Sequence, residues 1–410
     1  MKKNCETVAK RLWPEIMLMR RRSVWWMSQG LPRAARKPSE WADSTVAIRE
    51  KWTTAWWGYI SATRLLDFSV CSTVPFTCPR TVLTIRIAEK NYVPDDVEFL
   101  TKPQIALVQI EHAIANGIYV AAWTCDELYG RDGKFLDGLE QLNQTFVAEV
   151  PVDFHGWVQK PKILRSGPKN RRGKQKKYPR LARRRPSSEV RNLLTYSPVF
   201  QEQSWQKYHI KDTNKGPQVW EVKWSIFWRK EGGDGLPGRR HCLIVARNVL
   251  TEEIKYFVVN GVPGEKGVTL RWLLSVAFRR CSVEQCFREA KEELGMDHFE
   301  VRGWRCVHRH YYVAQLSQLF CARVRQEYDD PESPEQDRLT VEQVRTAMNV
   351  WLSAADTTPA VQKERYEQAL EKQRYHQRRN EQARKSHTKT KTKRLNASGI
   401  DVSKIKSCVT

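Results

Sequence analysis

IYVAAWTCDELYG, residues 118–130, decides how the chain is read. Its first seven residues are apolar or β-favouring, a glycine (Gly117) precedes them, and the polar group Asp126-Glu127 closes the run. Such a short run, bounded on both sides by turn signals, predicts a buried strand that ends at Asp126. In open α/β sheets, ligands gather outside the carboxyl ends of the strands, so Asp126 is a candidate metal ligand there. An aspartate in this place equally serves as a turn residue or helix N-cap, and both readings stay open from position alone.

The neighbourhood supports an alternating α/β unit. Upstream, Thr101 can cap a helix with Pro103 in its first turn. Ile105, Leu107, Val108, Ile110, Ala113 and Ile114 give that helix an apolar face, and Gly117 stops it. Downstream, a helix is expected over about 132–142 and a strand at TFVAEV (145–150). QVWEVKWSIFW (218–228), HCLIVARNVL (241–250) and EIKYFVVNGV (253–262) predict further strands, forming a β-rich insertion between two α/β parts. Helices are expected over about 269–295 and 306–326. A basic tail follows after about 360, helical near 361–385 and without regular structure beyond. The resulting boundaries are 1–85, 86–155, 156–265, 266–330 and 331–410.

Residues 1–85 do not share this order. Seven of the sixteen tryptophans (Trp13, Trp25, Trp26, Trp41, Trp52, Trp56, Trp57) fall in the first 57 residues without helical or strand period. An irregular segment translated out of an ancestral frame and a small aromatic-rich domain are the two readings; the missing consistency between pattern and propensity favours the first.

Composition narrows the partner. Lys plus Arg number 70 against 46 Asp plus Glu, a net charge of +24, which favours a polyanion over an acidic small molecule. Residues 160–185 hold thirteen Lys or Arg and no acid, and read as a flexible arm. Within it Lys174, Lys176, Lys177, Arg183, Arg184 and Arg185 are candidate phosphate contacts, as is the basic tail; a solvated charge run is the alternative. Ten scattered cysteines without a Cys-x-x-Cys pair read as reduced thiols. No signal peptide or membrane-length apolar run is present in the sequence, so a cytoplasmic protein is expected, nucleoid-associated when DNA-bound.

A second group of candidates lies near 284. Arg280, Glu284 and Lys291, at i, i+4 and i+11, fall within about 40° of one another on a helix. A carboxylate flanked by two cations can hold a metal while the cations meet phosphate. Ordinary surface ion pairs have the same spacing. His308, Arg309 and His310, after Trp304 and Cys306, resemble a His-Arg-His segment of DDE-superfamily transposases, which implies that they face DNA or the active site; a solvated helix start is the alternative.

VEQCFREAKEELGMDHFEVRGWRCVHRHYYVAQLSQLF (283–320) resembles the C-terminal catalytic block of bacterial insertion-sequence transposases of the DDE superfamily, above all the insertion-sequence seven-oh-one group. PDDVEF, KPQIALVQIEHAIANGI and CDELYGRDGKFLDGLE resemble that group's second-aspartate region. The resemblance covers about 86–330 and implies an RNase H-like core in which two Asp and one Glu bind two Mg²⁺ (or Mn²⁺) ions for in-line attack on DNA phosphodiesters. It implies double-stranded DNA, as transposon ends and target, for a partner, and a homo-oligomer. By motif position Asp126 is the second aspartate and Glu284 the glutamate, both metal ligands. Arg280 and Lys291 fall on the Arg and Lys of a Tyr-Arg-Glu-Lys signature whose Tyr position holds Ala277. The first aspartate has no counterpart: Asp43 and Asp67 lack its context, and Asp95 and Asp96 belong to the PDDVEF block. The expectation is therefore a decayed transposase, with a non-catalytic basic DNA-binding protein as the alternative.

Overall fold

The computed structural model describes Tyr92, Pro94 and residues 100–164, 178–182, 186–232, 235–265, 267–301, 303–328, 339–353 and 358–408. The aromatic-rich segment 1–85, residues 95–99 of the PDDVEF block, and Lys174, Lys176, Lys177, Arg183, Arg184 and Arg185 of the basic arm lie outside the described residues.

Helix α1 (Lys102–Ala115) forms where its signals place it, with Pro103 in the first turn and the Thr101 N–H donating to Gln104 Oε1 at 2.8 Å. Gly117 turns the chain out with φ +71°, a backbone state that costs glycine little. Strand β1 is only Trp123–Cys125, shorter than expected. The Ile118 N–H is taken by the Ala113 carbonyl, and parallel partners on the next strand exist only for 123–125. After β1 come α2 (Glu127–Gly130), α3 (Gly133–Gln141) and β2 (Phe146–Val150). They are followed by the short strands β3 (His155–Trp157), β4 (Ile163–Leu164), β5 (Arg180–Leu181) and β6 (Ser188–Glu189), and by α4 (Val190–Tyr196) and α5 (Pro198–Gln201).

Four long strands complete the sheet: β7 (Gln206–Thr213), β8 (Gly216–Glu231), β9 (Leu236–Asn248) and β10 (Ile254–Val259). The strands expected as an insertion thus join β1 and β2 in one nine-stranded mixed sheet of order β1-β2-β10-β9-β8-β3-β6, with β7 and the terminal β11 (Lys406–Ser407) branching from β8. β1 and β2 are parallel; β2, β10, β9 and β8 alternate antiparallel.

Side-chain alternation assigns the two faces. Phe146, Ala148 and Val150 of β2, with Leu243, Val245, Tyr256 and Val258, pack against Ile110 of α1 and Phe135, Leu136 and Leu139 of α3. Val147, Ile244, Ala246, Phe257 and Val259 pack on the other face under Leu273, Leu274 and Ala277 of α6 (Leu270–Ala277). Burial on both faces explains why the central strands read as continuous apolar runs.

The helix expected over 269–295 is two helices, α6 and α7 (Cys281–Leu294). Thr269 caps α6 through its hydroxyl, which accepts from the Trp272 N–H. Phe278 then leaves the helical path and lays its ring 4.8 Å from Trp220 and 5.7 Å from Phe257. Tertiary packing of one aromatic thus ends a helix that contains neither Gly nor Pro.

The described residues divide into two compact units: those within 92–287, 301–309 and 379–408 form the sheet unit, and those within 288–300 and 310–378 the other. The described part of the latter includes the end of α7, most of α8 (Trp304–Tyr328), α9 (Val341–Ser353) and the first half of α10 (Pro359–Ala397). Cys321, Val341 and Val344 form its core with Leu294, Val324 and Met348, and Arg345 pairs with Glu293 at 2.9 Å. Helix α10 runs past the expected limit of 385 to Ala397, because Leu395 inserts fully into an apolar cluster with Val219 and Ile400 of the sheet unit.

Candidate active site

Asp126 stands directly after β1. Its Oδ1 accepts from the Leu128 N–H at 3.0 Å and the Tyr129 N–H at 3.4 Å, so it caps α2. Capping occupies one carboxylate oxygen and fixes the side chain at the carboxyl end of the strand. Gly130 in the same turn lies so close to β2 that an added Cβ would stand 2.0 Å from the Glu149 carbonyl oxygen.

Cys125 pairs with Ala148 in parallel register, and Glu149 follows on β2. Glu149 is the one acid in a strand otherwise apolar and buried, and it sits on the α6 face with Val147. Its Oε1 accepts from Lys255 Nζ at 2.6 Å, and its Oε2 faces Arg280 Nε at 3.5 Å. Arg280 reaches further, donating from Nη1 to Glu284 Oε1 at 3.0 Å. One guanidinium therefore joins the first turn of α7 to β2. Burial pushes the Cys125 thiol far above its ordinary pKa; the charges of Asp126 and Glu149 add to this and that of Arg280 opposes it. The same thiol thus senses both carboxylates and the guanidinium.

The sequence candidates separate on this geometry. Arg280 and Glu284 meet as an ion pair, with the Glu284 side chain 65% exposed. Lys291 is exposed further along α7, and no described carboxylate pairs with it. His308 donates from Nδ1 to the Trp304 carbonyl at 2.8 Å, its ring 4.3 Å from the indole. His310 Nε2 bonds the Gly295 carbonyl at 2.9 Å beside Phe299, while Arg309 is exposed. Glu149 and Lys255 were missed by sequence reasoning. The available signal was a glutamate inside the apolar run TFVAEV.

The expected two-ion clamp does not fit the described residues. Among them no three His, Cys, Asp or Glu side chains stand together as a metal-holding group. Lys255 and Arg280 engage Glu149 and Arg280 engages Glu284, while Asp126 accepts from backbone N–H groups of α2.

A second polar cluster lies beneath α3. His241 is fully buried, and its Nε2 meets Glu140 Oε1 at 2.5 Å while Nδ1 meets the Arg239 carbonyl at 2.9 Å. Arg229, also buried, pairs with Asp137 and donates to the Gly133 carbonyl at 3.2 Å. These groups tie α3 to β8 and β9. Such buried pairs are costly to break once formed.

A mixed sheet with helices on both faces, and Asp126 at the carboxyl end of a strand in a parallel pair, defines an α/β protein. Residues 86–217 match the family model of the DDE superfamily endonuclease. That match covers 132 of the 410 residues and is a similarity to DDE-type transposases and endonucleases. It contains Asp126 and Glu149 and ends before Arg280 and Glu284. No curated protein matches the chain. Among the described residues no helix is long and apolar enough to cross a membrane.

Proposed function

We propose that the chain is a DDE-type transposase that acts on DNA at transposon ends, and that this copy is decayed: it binds DNA but does not cut it. The observation that carries the reading is the DDE superfamily match over residues 86–217, with Asp126 at the carboxyl end of the parallel β1–β2 pair. In this reading Asp126 and Glu284 are the surviving second and third carboxylates, and Arg280 and Lys291 the signature cations. The family's chemistry uses divalent ions, Mg²⁺ or Mn²⁺, to activate the attacking oxygen and stabilise the leaving one.

Two observations favour decay. No first aspartate can be assigned in the sequence. In addition, Arg280 engages Glu284, one of the two carboxylates a metal would need, and Asp126 Oδ1 is taken up in capping α2. The affinity that survives is for the phosphate backbone and is salt-sensitive, as counterion release requires.

Footprinting tests the reading. A transposase-derived protein protects the terminal inverted repeats flanking its own gene in preference to internal DNA of the same length. Uniform protection of all sequences would replace this reading with the basic, sequence-indifferent DNA-binding protein.

A further inference from the structure

The basic tail is not a free arm. Residues 379–397 of α10 belong to the sheet unit and run directly against the β7–β8 turn. At Gly216 (φ +90°) an added Cβ would stand 3.1 Å from Thr388 Cα and 3.2 Å from Lys391 Cβ, so the helix backbone is in close contact there. Leu395 in the last turn of the helix and Ile400 just past it fill an apolar cluster with Val219, Val249 and Leu250. β11 then pairs in parallel with β7, and the Cys408 N–H donates to the His209 carbonyl at 2.8 Å. The segment is thus fixed at Thr388–Lys391 and again from Leu395 to Cys408.

What this docking fixes is charge. Residues 379–408 and 206–218 together carry twelve Lys or Arg and three acids. Each of the three acids is engaged: Asp212 by His209, Glu381 by Lys385 and Asp401 by Lys404. Among the described residues no carboxylate pairs with Lys215, Lys389, Lys391, Lys393 or Arg394. Burial, with the charges of Arg394 and Lys215, pushes the Lys391 ammonium below its ordinary pKa. Cations from the turn and the helix therefore converge, which disfavours the fold unless a polyanion offsets it. Lys385, Lys389 and Lys393 recur every fourth residue on the exposed face of α10, about 6 Å apart along its axis.

We propose that the C-terminal half of α10 and the β7–β8 turn form a rigid phosphate-binding platform for the backbone of duplex DNA. Lys389, Lys393 and Arg394 supply the outer contacts, and Lys215 and Lys391 the inner field. The platform rests on DNA being the substrate, as in the proposed function, and it is separate from the Asp126–Glu149–Arg280 cluster. Contacts of this kind hold and orient a duplex without reading its bases.

The experiment is the salt dependence of full-chain binding to a fluorescent duplex, measured by anisotropy. It compares the wild type with a triple variant, Lys389→Gln, Lys393→Gln and Arg394→Gln. Each lost phosphate contact lowers the slope of log K against log salt by about 0.9, so the triple variant should lose about 2.7. A charge-keeping variant, Lys389→Arg with Lys393→Arg, should retain the wild-type slope, which separates charge from folding. An unchanged slope in the triple variant overturns the platform, as does a wild type that binds RNA but not duplex DNA. The two readings fail separately. A lowered slope without protection of the terminal repeats leaves the platform standing and removes the transposase. Protected repeats with an unchanged slope do the reverse.

Discussion

Replacing Glu149 by glutamine should cost far more than the same change at Glu284, although both carboxylates bond the same arginine. Glu149 has its side chain 11% exposed and faces two cations, Lys255 at 2.6 Å and Arg280 at 3.5 Å. Removing its charge leaves Lys255, 24% exposed, with only the more distant Glu253 at 3.6 Å, and leaves Arg280, 26% exposed, with only the exposed Glu284. Breaking a buried pair costs about 3–5 kcal/mol, and a hydrogen bond to a charged group is worth about 1.5–3 kcal/mol. Partial exposure of the two cations places Glu149→Gln near the lower range, at about 2 kcal/mol. Glu284 is 65% exposed in its pair, so Glu284→Gln should cost about 0.5 kcal/mol or less. Hydrogen exchange of the 146–150 and 254–259 amides, read by mass spectrometry, reports this locally. The Glu149 variant should speed exchange from the globally or sub-globally open state by roughly thirtyfold, since 1.4 kcal/mol is a factor of ten, and the Glu284 variant by no more than about twofold. Equal effects, or a larger effect at Glu284, would refute the assignment of Glu149 as the anchor of Arg280.

Other expectations follow from the same geometry. Gly130→Ala drives a methyl into the Glu149 carbonyl, and its overpacking should cost about 1–3 kcal/mol in urea denaturation; a neutral result would mean that the α2 turn is free to move away. Burial pushes the Glu140 carboxyl up, but the hydrogen bond and charge of His241, with the charges of Arg229 and Arg239, outweigh it and hold the carboxyl below its ordinary 4.5. Because the folded value is depressed, the stabilisation is present above about pH 4.5 and is lost as pH falls through the folded value. Glu140→Gln should therefore flatten the acid limb of stability against pH and cost about 3 kcal/mol near neutrality; an unaltered acid limb would contradict the pairing. Leu395 is fully buried, so Leu395→Ala should cost about 2–5 kcal/mol. It should also expose residues 379–397 to limited proteolysis, and continued resistance would show that the docking does not depend on this side chain.

Local signals made much of the fold legible. Thr101, Pro103 and Gly117 bracket α1, and the apolar runs mark β2, β8, β9 and β10, because capping chemistry and strand burial are written in neighbouring residues. What stayed hidden depends on distant partners. β7 (QKYHIKDT) is polar along most of its length and becomes a strand by pairing with β8 and β11. The break between α6 and α7 has no Gly or Pro, since it follows from Phe278 packing against Trp220 and Phe257. The docked course of α10 is equally invisible, because one leucine in a Lys-rich stretch does not announce a buried anchor.

The candidate site divides in the same way. Asp126 could be singled out because a strand end is a local feature, and its capping bonds show that the bland role operates whatever else the side chain does. Arg280 and Glu284 could be paired from helical spacing alone. Glu149, by contrast, lies 131 positions from Arg280 in sequence, and only the parallel β1–β2 pairing brings it beside Asp126. Sequence therefore indicated the chemistry of two corners of the cluster and missed the group that joins them.

The most direct test of the account is nicking of supercoiled DNA that bears the element's own ends, by the purified chain with Mg²⁺ or Mn²⁺ and Glu284→Ala as control. The account predicts salt-sensitive binding and no nicking above the control. Metal-dependent nicking that disappears in Glu284→Ala would contradict it, because a complete catalytic carboxylate set would then have to exist in this chain.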